Sequence, residues 1–238
     1  MERFGSRACA YAAFRPSYPP EAIDAVIQDL GDPRNLCVAD VGAGTGISAR
    51  LFAGRGATVI AIEPNARMRS EAVSHPNVSW RDGTAEDTRL PDASVDVAVA
   101  CQAFNWFATR RAMAEFRRIA RRRAALLQYE RYERDPFTRA YGRIVRLYAT
   151  DDTELMRRRA LDVFRSFPGA RLTERVAYSR QSLSCDELLG RVDSASYLPR
   201  EGAAGLALRA DVTTLFDRYR KNDRVELKMV THVLVADW

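Results

Sequence analysis

The stretch Asp40-Val41-Gly42-Ala43-Gly44-Thr45-Gly46 decides the fold of this chain of 238 residues. A short apolar run, residues 36–41, leads into it, and in Ile47–Ala53 the apolar residues return at helical spacing. The sequence therefore predicts a buried strand, a glycine loop and a helix in that order. Glycines let the backbone turn tightly and approach a ligand, and the first amide groups of a helix are free to donate to it.

Helical and extended patterns alternate around this loop, from residue 20 to about residue 129. Such alternation predicts a parallel sheet covered by helices on both faces. The predicted strands are 36–41, Thr58–Ile62, 78–80, Val95–Cys101 and 124–129, and the predicted helices are 23–30, Ile47–Ala53, 66–73 and 110–120.

The pattern changes after residue 130. Residues 135–167 are nearly all helical in period, and two further strands are predicted at 171–183 and 225–236, with a helix at 206–219 between them. The predicted fold is α/β, a Rossmann-like and mostly parallel sheet of seven strands with helices on both faces and a helical cap. We divide the chain into an N-terminal lid (1–19), a Rossmann-like core (20–130), a cap (131–170) and a C-terminal part that completes the sheet and the substrate side (171–238).

The chain is basic, with a net charge of +6 and a pI near 9.4. Basic surfaces attract nucleic acid, but lysine occurs only at Lys221 and Lys228, so the excess of arginine is typical of a codon bias rather than of a designed surface. The densest cluster, residues 117–123, is interpreted as the solvated end of a helix. Nucleic acid is therefore not favoured as a partner.

No apolar run is long enough to cross a bilayer, and the N-terminus lacks the apolar core of a secretory signal. We therefore expect a cytoplasmic protein that does not act at a membrane. The four cysteines are widely scattered, with no spacing typical of a metal site or a disulfide framework, so no bound metal is expected.

Two carboxylates flank the glycine loop. Dinucleotide-binding loops space their glycines as G-x-G-x-x-G to seat a pyrophosphate, whereas here the spacing is G-x-G-x-G. Asp40, two positions before the first glycine, suits a positively charged amino group better than a phosphate. Glu63, at the end of the second predicted strand, can accept both hydrogen bonds of a ribose diol, although a surface acid is the alternative.

These features resemble the class I S-adenosylmethionine-dependent methyltransferases, in particular the small-molecule group called type 11. The resemblance covers most of the chain and implies S-adenosyl-L-methionine as the cofactor. It implies that the loop holds the methionine part, that Glu63 holds the ribose and that residues 84–86 flank the adenine. The family usually has an acid where Thr84 stands. The cofactor-binding residues implied are Arg15, Tyr18, Asp40, Gly42, Ala43, Gly44, Gly46, Glu63, Pro64, Met68, Thr84, Ala85, Glu86, Cys101 and Gln102.

The stretch Cys101-Gln102-Ala103-Phe104-Asn105-Trp106-Phe107 looks like the family segment that passes beside the reactive methyl group. Many relatives have histidine at Asn105. Asparagine takes no proton near neutral pH but can orient a substrate, so we assign it that role. On the substrate side the resemblance implies Tyr11, Phe104, Trp106 and Tyr197.

The N-terminal stretch Tyr11-Ala12-Ala13-Phe14-Arg15-Pro16-Ser17-Tyr18-Pro19 resembles the family pattern Y-x-x-(Y/F)-R-P-x-Y-P. We predict that it forms a lid over the cofactor, with Tyr18 on the sulfonium side and Arg15 paired with the methionine carboxylate. The alternative is a strap that is always packed on the core.

The sequence thus predicts a methyltransferase that acts on a small molecule by O- or N-methylation, as a monomer or homodimer. Two alternatives stay open. One is an RNA or other nucleic-acid methyltransferase, although the segment after the fourth strand lacks the Asn/Asp-Pro-Pro-aromatic signature of enzymes that methylate base amines. The other is a cofactor-binding protein of the same fold without methyl transfer activity, since fold alone does not settle function.

Overall fold

The computed structural model describes residues 15–238, and a seven-stranded sheet forms its centre. The strand order is β3-β2-β1-β4-β5-β7-β6. The strands are β1 (Cys37–Val41), β2 (Thr58–Ile62), β3 (Val78–Arg81), β4 (Val95–Cys101), β5 (Ala120–Arg131), β6 (Arg171–Leu183) and β7 (Val225–Asp237). The predicted Rossmann-like α/β fold with seven strands is confirmed.

The central strands are apolar and pair in parallel, as expected for a sheet covered on both faces. Val38 of β1 pairs with Val59 of β2 on one side and with Val97 of β4 on the other. Every residue of β4 is buried. The carboxyl ends of β1, β2 and β4 therefore meet at one edge of the sheet, where the loops that carry the candidate site begin.

Helices separate most of the strands. Their bounds are α1 (Pro20–Ile27), α2 (Ile47–Ala53), α3 (Ala66–Ser70), α4 (Arg110–Ile119), α5 (Pro136–Tyr148), α6 (Thr153–Arg165), α7 (Cys185–Asp193) and α8 (Gly202–Tyr219). Short 3-10 turns lie at Pro33–Asn35 and Phe104–Trp106. Side-chain caps fix several helix starts: Asn65, Thr109 and Asp135 each accept a backbone N–H of the first helical turn.

One predicted boundary was wrong, and one helix was not predicted. The helix predicted at 66–73 ends at Ser70, whereas the stretch at 135–167 is helical as expected and consists of two helices, α5 and α6. α7 was missed. Its start carries a capping box, in which the Ser184 side chain accepts the Glu187 N–H and the Glu187 carboxylate accepts the Ser184 N–H.

The arginine cluster at residues 117–123 is also corrected. Arg117 and Arg118 lie in the last turn of α4, but the arginines at 121–123 belong to β5. Arg123 is buried, where it donates to the carbonyl groups of Val26 and Gln28 and pairs with Asp237 at 2.6 Å. Arg121 pairs with Asp96 at 2.9 Å. These cations are held by strand and helix contacts rather than forming a solvated helix end.

The contacts divide the chain into two compact units, whose boundaries fall after Pro16, at the start of α6 and within β5, β6 and β7. The first unit comprises Ser17–Gln128, Glu154–Ala177 and Thr231–Trp238. Its core includes Phe104, Phe116 and Phe164, all fully buried. The second unit comprises, within the described residues, 15–16, Tyr129–Thr153 and Tyr178–Val230.

Residues 15–238 contain neither a membrane-spanning helix nor a metal-binding cluster. No helix there is both long and apolar enough to cross a membrane. No group of three or more His, Cys, Asp or Glu side chains in that range is placed to hold a metal ion.

Candidate functional site

The glycine loop turns from β1 into α2 through left-handed backbone. Gly42, Gly44 and Gly46 have φ angles of 74°, 59° and 78°, which residues with a Cβ atom rarely adopt. The amides of Gly42 and Ala43 both donate to the Ile62 carbonyl, at 2.8 and 3.0 Å, so the loop is tied to the end of β2. A methyl group on Gly42 would lie 2.7 Å from the Cβ atom of Ala103.

Glu63 follows β2 and reaches the same loop. Its Oε2 atom accepts the Gly44 N–H at 3.0 Å, and its Oε1 atom accepts the Asn65 N–H at 2.9 Å. Burial raises the pKa of the Glu63 carboxyl, while these two amides and the nearby Arg69 guanidinium act in the opposite direction. Two other predicted residues belong to this region: Pro64 is half-buried beside Glu63, and Met68 is buried on α3.

Asp40 is fully buried at the end of β1. Its Oδ2 atom accepts the Ser48 hydroxyl at 2.6 Å, whereas its Oδ1 atom, within the described residues, has no hydrogen-bond partner. Burial raises the pKa of this carboxyl from 3.8 to about 7; hydrogen bonds from Ser48 and the Ala49 amide lower it, and the charge of Glu63 raises it. Asp40 is thus a buried acid that titrates near neutral pH.

A second polar atom in the loop is left unpaired. The Thr45 hydroxyl is buried without a hydrogen-bond partner among residues 15–238. Buried polar atoms of this kind are rare in folded proteins, and their usual partners are a bound water, an ion or a ligand. Glycine backbone, the Oδ1 atom of Asp40, the Thr45 hydroxyl and the Glu63 carboxylate fit a ligand that carries an amino group and hydroxyls, as S-adenosylmethionine does.

The turn after β3 contains the three residues predicted to flank adenine. Ala85 is buried, Glu86 is half-buried and Thr84 is exposed. Thr84 shapes the turn, since its N–H donates to the Asp87 carbonyl at 3.0 Å and its hydroxyl accepts the Asp87 N–H at 3.2 Å. Thr84 therefore has a structural role of its own, in the position where the family usually has an acid.

The segment after β4 begins with a constrained turn. Cys101 is buried, which raises the pKa of its thiol, and Gln102 has a φ of 54°, a left-handed conformation uncommon outside glycine. The Gln102 amide donates to the Leu127 carbonyl of β5 at 2.8 Å. Strained backbone at the end of a strand is frequent at functional sites, where surrounding contacts hold it.

The predicted substrate residues in this segment differ in exposure. Asn105 is half-buried and Trp106 is 40% exposed. Phe104 is fully buried, with its ring centroid 5.6 Å from those of Phe107 and Phe164, so its described contacts are those of a core residue.

The remaining predicted residues are divided between the units. Tyr18 is buried in the first unit, and Tyr11 lies outside the described residues. In the second unit, the Arg15 guanidinium donates to the Ser194 carbonyl at 3.2 Å and to the Tyr129 hydroxyl at 3.5 Å. Tyr197, also there, is buried, and its carbonyl accepts the Thr150 N–H at 2.9 Å.

The sequence analysis missed two polar residues that the structure makes prominent. Ser48, which bonds to Asp40, is a buried hydroxyl on the first turn of α2, and its polarity within an otherwise apolar helix face was the available signal. Arg191 is buried on α7. No signal pointed to it because the helix itself was not predicted.

Comparison with known families identifies the part of the chain that carries this geometry. Residues 39–127 match the family described as "Methyltransferase domain", type 11. The matched range contains β1, the glycine loop, Glu63 and the segment after β4. A methyltransferase of Mycobacterium tuberculosis, described as uncharacterized, is 37% identical over 145 residues, which are 60% of this chain and 58% of the relative. The chain thus spans less than two thirds of that relative.

Two longer matches extend beyond the core. An uncharacterized methyltransferase-like protein of Schizosaccharomyces pombe is 25% identical over 235 residues, which cover 95% of this chain and 92% of that protein. A solved structure from Anabaena variabilis, named as a candidate methyltransferase of an antibiotic biosynthesis pathway, superposes with a TM-score of 0.65. The superposition covers 94% of this chain and 98% of the Anabaena chain, at 20% sequence identity, and shows that the two share a fold.

Proposed function

We propose that this chain, which belongs to the type 11 methyltransferase family through residues 39–127, binds S-adenosylmethionine and methylates a small molecule on oxygen or nitrogen. The observation that carries the proposal is the loop in which a fully buried carboxylate, Asp40, keeps one oxygen without a described partner beside three left-handed glycines. A dinucleotide pyrophosphate would not suit a buried acid at this position.

Each half of the proposed cofactor has a group suited to it. The Oδ1 atom of Asp40 and the Thr45 hydroxyl would meet the methionine amino group, and the Glu63 carboxylate would accept the ribose hydroxyls. Ala85 and Met68 supply apolar surface for adenine. Glu63 also accepts the Gly44 N–H, so it holds the loop in the shape that the cofactor needs.

The bound cofactor would supply an electrophilic methyl group on a sulfonium centre, which an acceptor heteroatom takes by in-line displacement. The protein's own contribution is then proximity and alignment. Asn105, half-buried after β4, would orient the acceptor by hydrogen bonds. Because an asparagine cannot act as a base, we infer an acceptor that is already nucleophilic, such as a carboxylate or an amine.

A nucleic-acid acceptor is less well supported. Several arginines that make the chain basic are engaged by its own groups, as the pairs Arg118–Glu115, Arg121–Asp96 and Arg123–Asp237 show. Binding to a phosphate backbone depends on cations that remain available to it.

Label transfer tests the acceptor class directly. The purified protein is incubated with methyl-labelled S-adenosylmethionine and, separately, with dialysable small molecules or with total RNA from the same cells. We expect label in a small-molecule product and none in RNA. Label in RNA would replace the proposal with the nucleic-acid alternative, and binding of S-adenosylhomocysteine without transfer to either pool would favour a cofactor-binding protein.

A further inference from the structure

Arg191 is a buried cation in the second unit. It lies in the last turn of α7, and only 9% of its surface is exposed. Its Nη1 atom is buried and donates to no partner among residues 15–238, and no carboxylate in that range forms an ion pair with it. A guanidinium does not lose its proton in proteins, so burial cannot neutralise it. Such a charge is costly unless an anion compensates it.

Aromatic rings and further arginines surround this side chain. The guanidinium carbon of Arg191 lies 5.8 Å from the centroid of the Tyr129 ring, and the Tyr129 hydroxyl accepts a hydrogen bond from Arg15 at 3.5 Å. Tyr141 is buried, which raises the pKa of its hydroxyl, while the charges of Arg191, Arg131 and Arg15 act on it in the opposite direction.

Two of these arginines have described protein partners. Arg15 also donates to the Ser194 carbonyl, and Arg131 lies 3.4 Å from the Glu133 carboxylate, which Arg146 approaches to 2.7 Å. Arg191 differs from both, because within residues 15–238 its described contact is the face of the Tyr129 ring and its Nη1 atom has no acceptor. The arrangement calls for an anion that the protein itself does not provide.

We propose that Arg191 binds a carboxylate group of the methyl acceptor, so that the substrate is a small organic acid. This inference rests on the proposed function and names its substrate class. The planar guanidinium matches a carboxylate with two parallel hydrogen bonds, and the rings of Tyr129 and Tyr141 suit a compact carbon skeleton.

Ligand binding without turnover tests this inference. The thermal midpoint of the wild-type protein is measured with benzoate, succinate and citrate, with the uncharged analogues benzamide and succinamide, and with inorganic phosphate. At least one carboxylate is expected to raise the midpoint and to show saturable binding by calorimetry, while its amide does neither. Stabilisation by phosphate alone, or equal effects of an acid and its amide, would overturn the inference.

The variant Arg191→Met removes the charge and keeps an apolar stem of similar length. Because the ligand-free protein then no longer buries an unpaired cation, we expect a higher thermal midpoint than in the wild type, together with at least about tenfold weaker carboxylate binding. A purely structural arginine would give a lower midpoint. Unchanged carboxylate affinity in this variant would refute the assignment.

Two further variants keep the test decisive. Arg191→Lys retains a charge without the planar fork and should also weaken carboxylate binding, which covers the case in which the methionine variant does not fold. Arg200→Met changes an exposed arginine as a matched control and should leave binding unaltered.

The proposed function is tested separately, by measuring the binding of S-adenosylhomocysteine with calorimetry. Binding of that ligand without any carboxylate binding would overturn the substrate class alone. Failure to bind S-adenosylhomocysteine would overturn the proposed function.

Discussion

The carboxyl group of Asp40 is fully buried and has a pKa of about 7, against an ordinary value of 3.8. Folding therefore favours its protonated form. This group makes the ligand-free protein less stable as pH rises from about 4 to about 7, because the unfolded chain releases the proton earlier. A ligand with a positive amino group reverses the preference, since it pairs with the ionised form.

We expect Asp40→Asn to remove this pH dependence. The amide keeps an oxygen that can accept the Ser48 hydroxyl, so unfolding midpoints of variant and wild type should diverge as pH rises from about 4 to about 7, with the variant more stable at the upper end. Wild-type affinity for S-adenosylhomocysteine should fall by up to about tenfold per pH unit below the Asp40 pKa. Parallel midpoint curves for the two proteins would contradict the assignment.

Glu63 accepts the Gly44 N–H of the glycine loop and is proposed to accept the ribose hydroxyls of the cofactor. Glu63→Ala should weaken S-adenosylhomocysteine binding by about 1–3 kcal/mol, the usual scale for lost charge-assisted hydrogen bonds. Glu63→Gln should lose less binding free energy, because one carbonyl oxygen remains that can accept a hydrogen bond from an amide N–H. Calorimetry measures both, with Glu21→Ala on the exposed start of α1 as the control. If the alanine variant binds like the parent, Glu63 serves folding only.

Gly44 offers a matched pair of variants. Gly44 and Gly169 both have left-handed backbone, at φ 59° and 64°, so valine strains the chain at either position. Only Gly44→Val also places a side chain in the proposed cofactor loop. We expect both variants to lose stability to a similar degree, and only Gly44→Val to lose S-adenosylhomocysteine binding in a calorimetric titration. Equal affinity in the two variants would remove the loop from the site.

At the scale of the elements, the sequence predicted the first four strands closely, because apolar runs bounded by glycines are typical of buried parallel strands. It missed α7, a helix of nine residues that contains Gly190, although the capping pair Ser184 and Glu187 marks its start in the sequence. It also placed the arginines at 121–123 on a helix, since charge runs carry no strand signal. Arg191 was not predicted as a functional residue because α7, which carries it, was not predicted.

The N-terminal stretch at residues 11–19 is the element with a predicted motion. Residues 11–14 lie outside the described part, while Tyr18 is buried and Pro19 precedes α1. We expect hydrogen exchange of this stretch to slow when S-adenosylhomocysteine binds, as a lid requires. Protection that does not change on ligand addition, with full activity after deletion of residues 1–17, would instead indicate a permanently packed strap.

At the scale of the whole molecule, the fold could be predicted from the sequence, whereas the methyl acceptor could not. A buried strand, a glycine loop and a second acid each follow a local sequence pattern. The cofactor-binding side could therefore be located from the sequence alone. Contacts between residues that are distant in the sequence follow no local pattern. The hydrogen bond between Ser48 and Asp40 depends on how α2 packs on β1, and the unpaired charge of Arg191 depends on its burial. The contacts of Ser48 and the burial of Arg191 therefore became visible only in the folded structure.

The most direct test of the central claim is a calorimetric titration of the wild-type protein with S-adenosylhomocysteine at a pH above the Asp40 pKa. We predict saturable binding at one site per chain, with protons released when the titration is repeated below that pKa because Asp40 ionises on binding. A folded protein that shows no saturable binding would contradict the account.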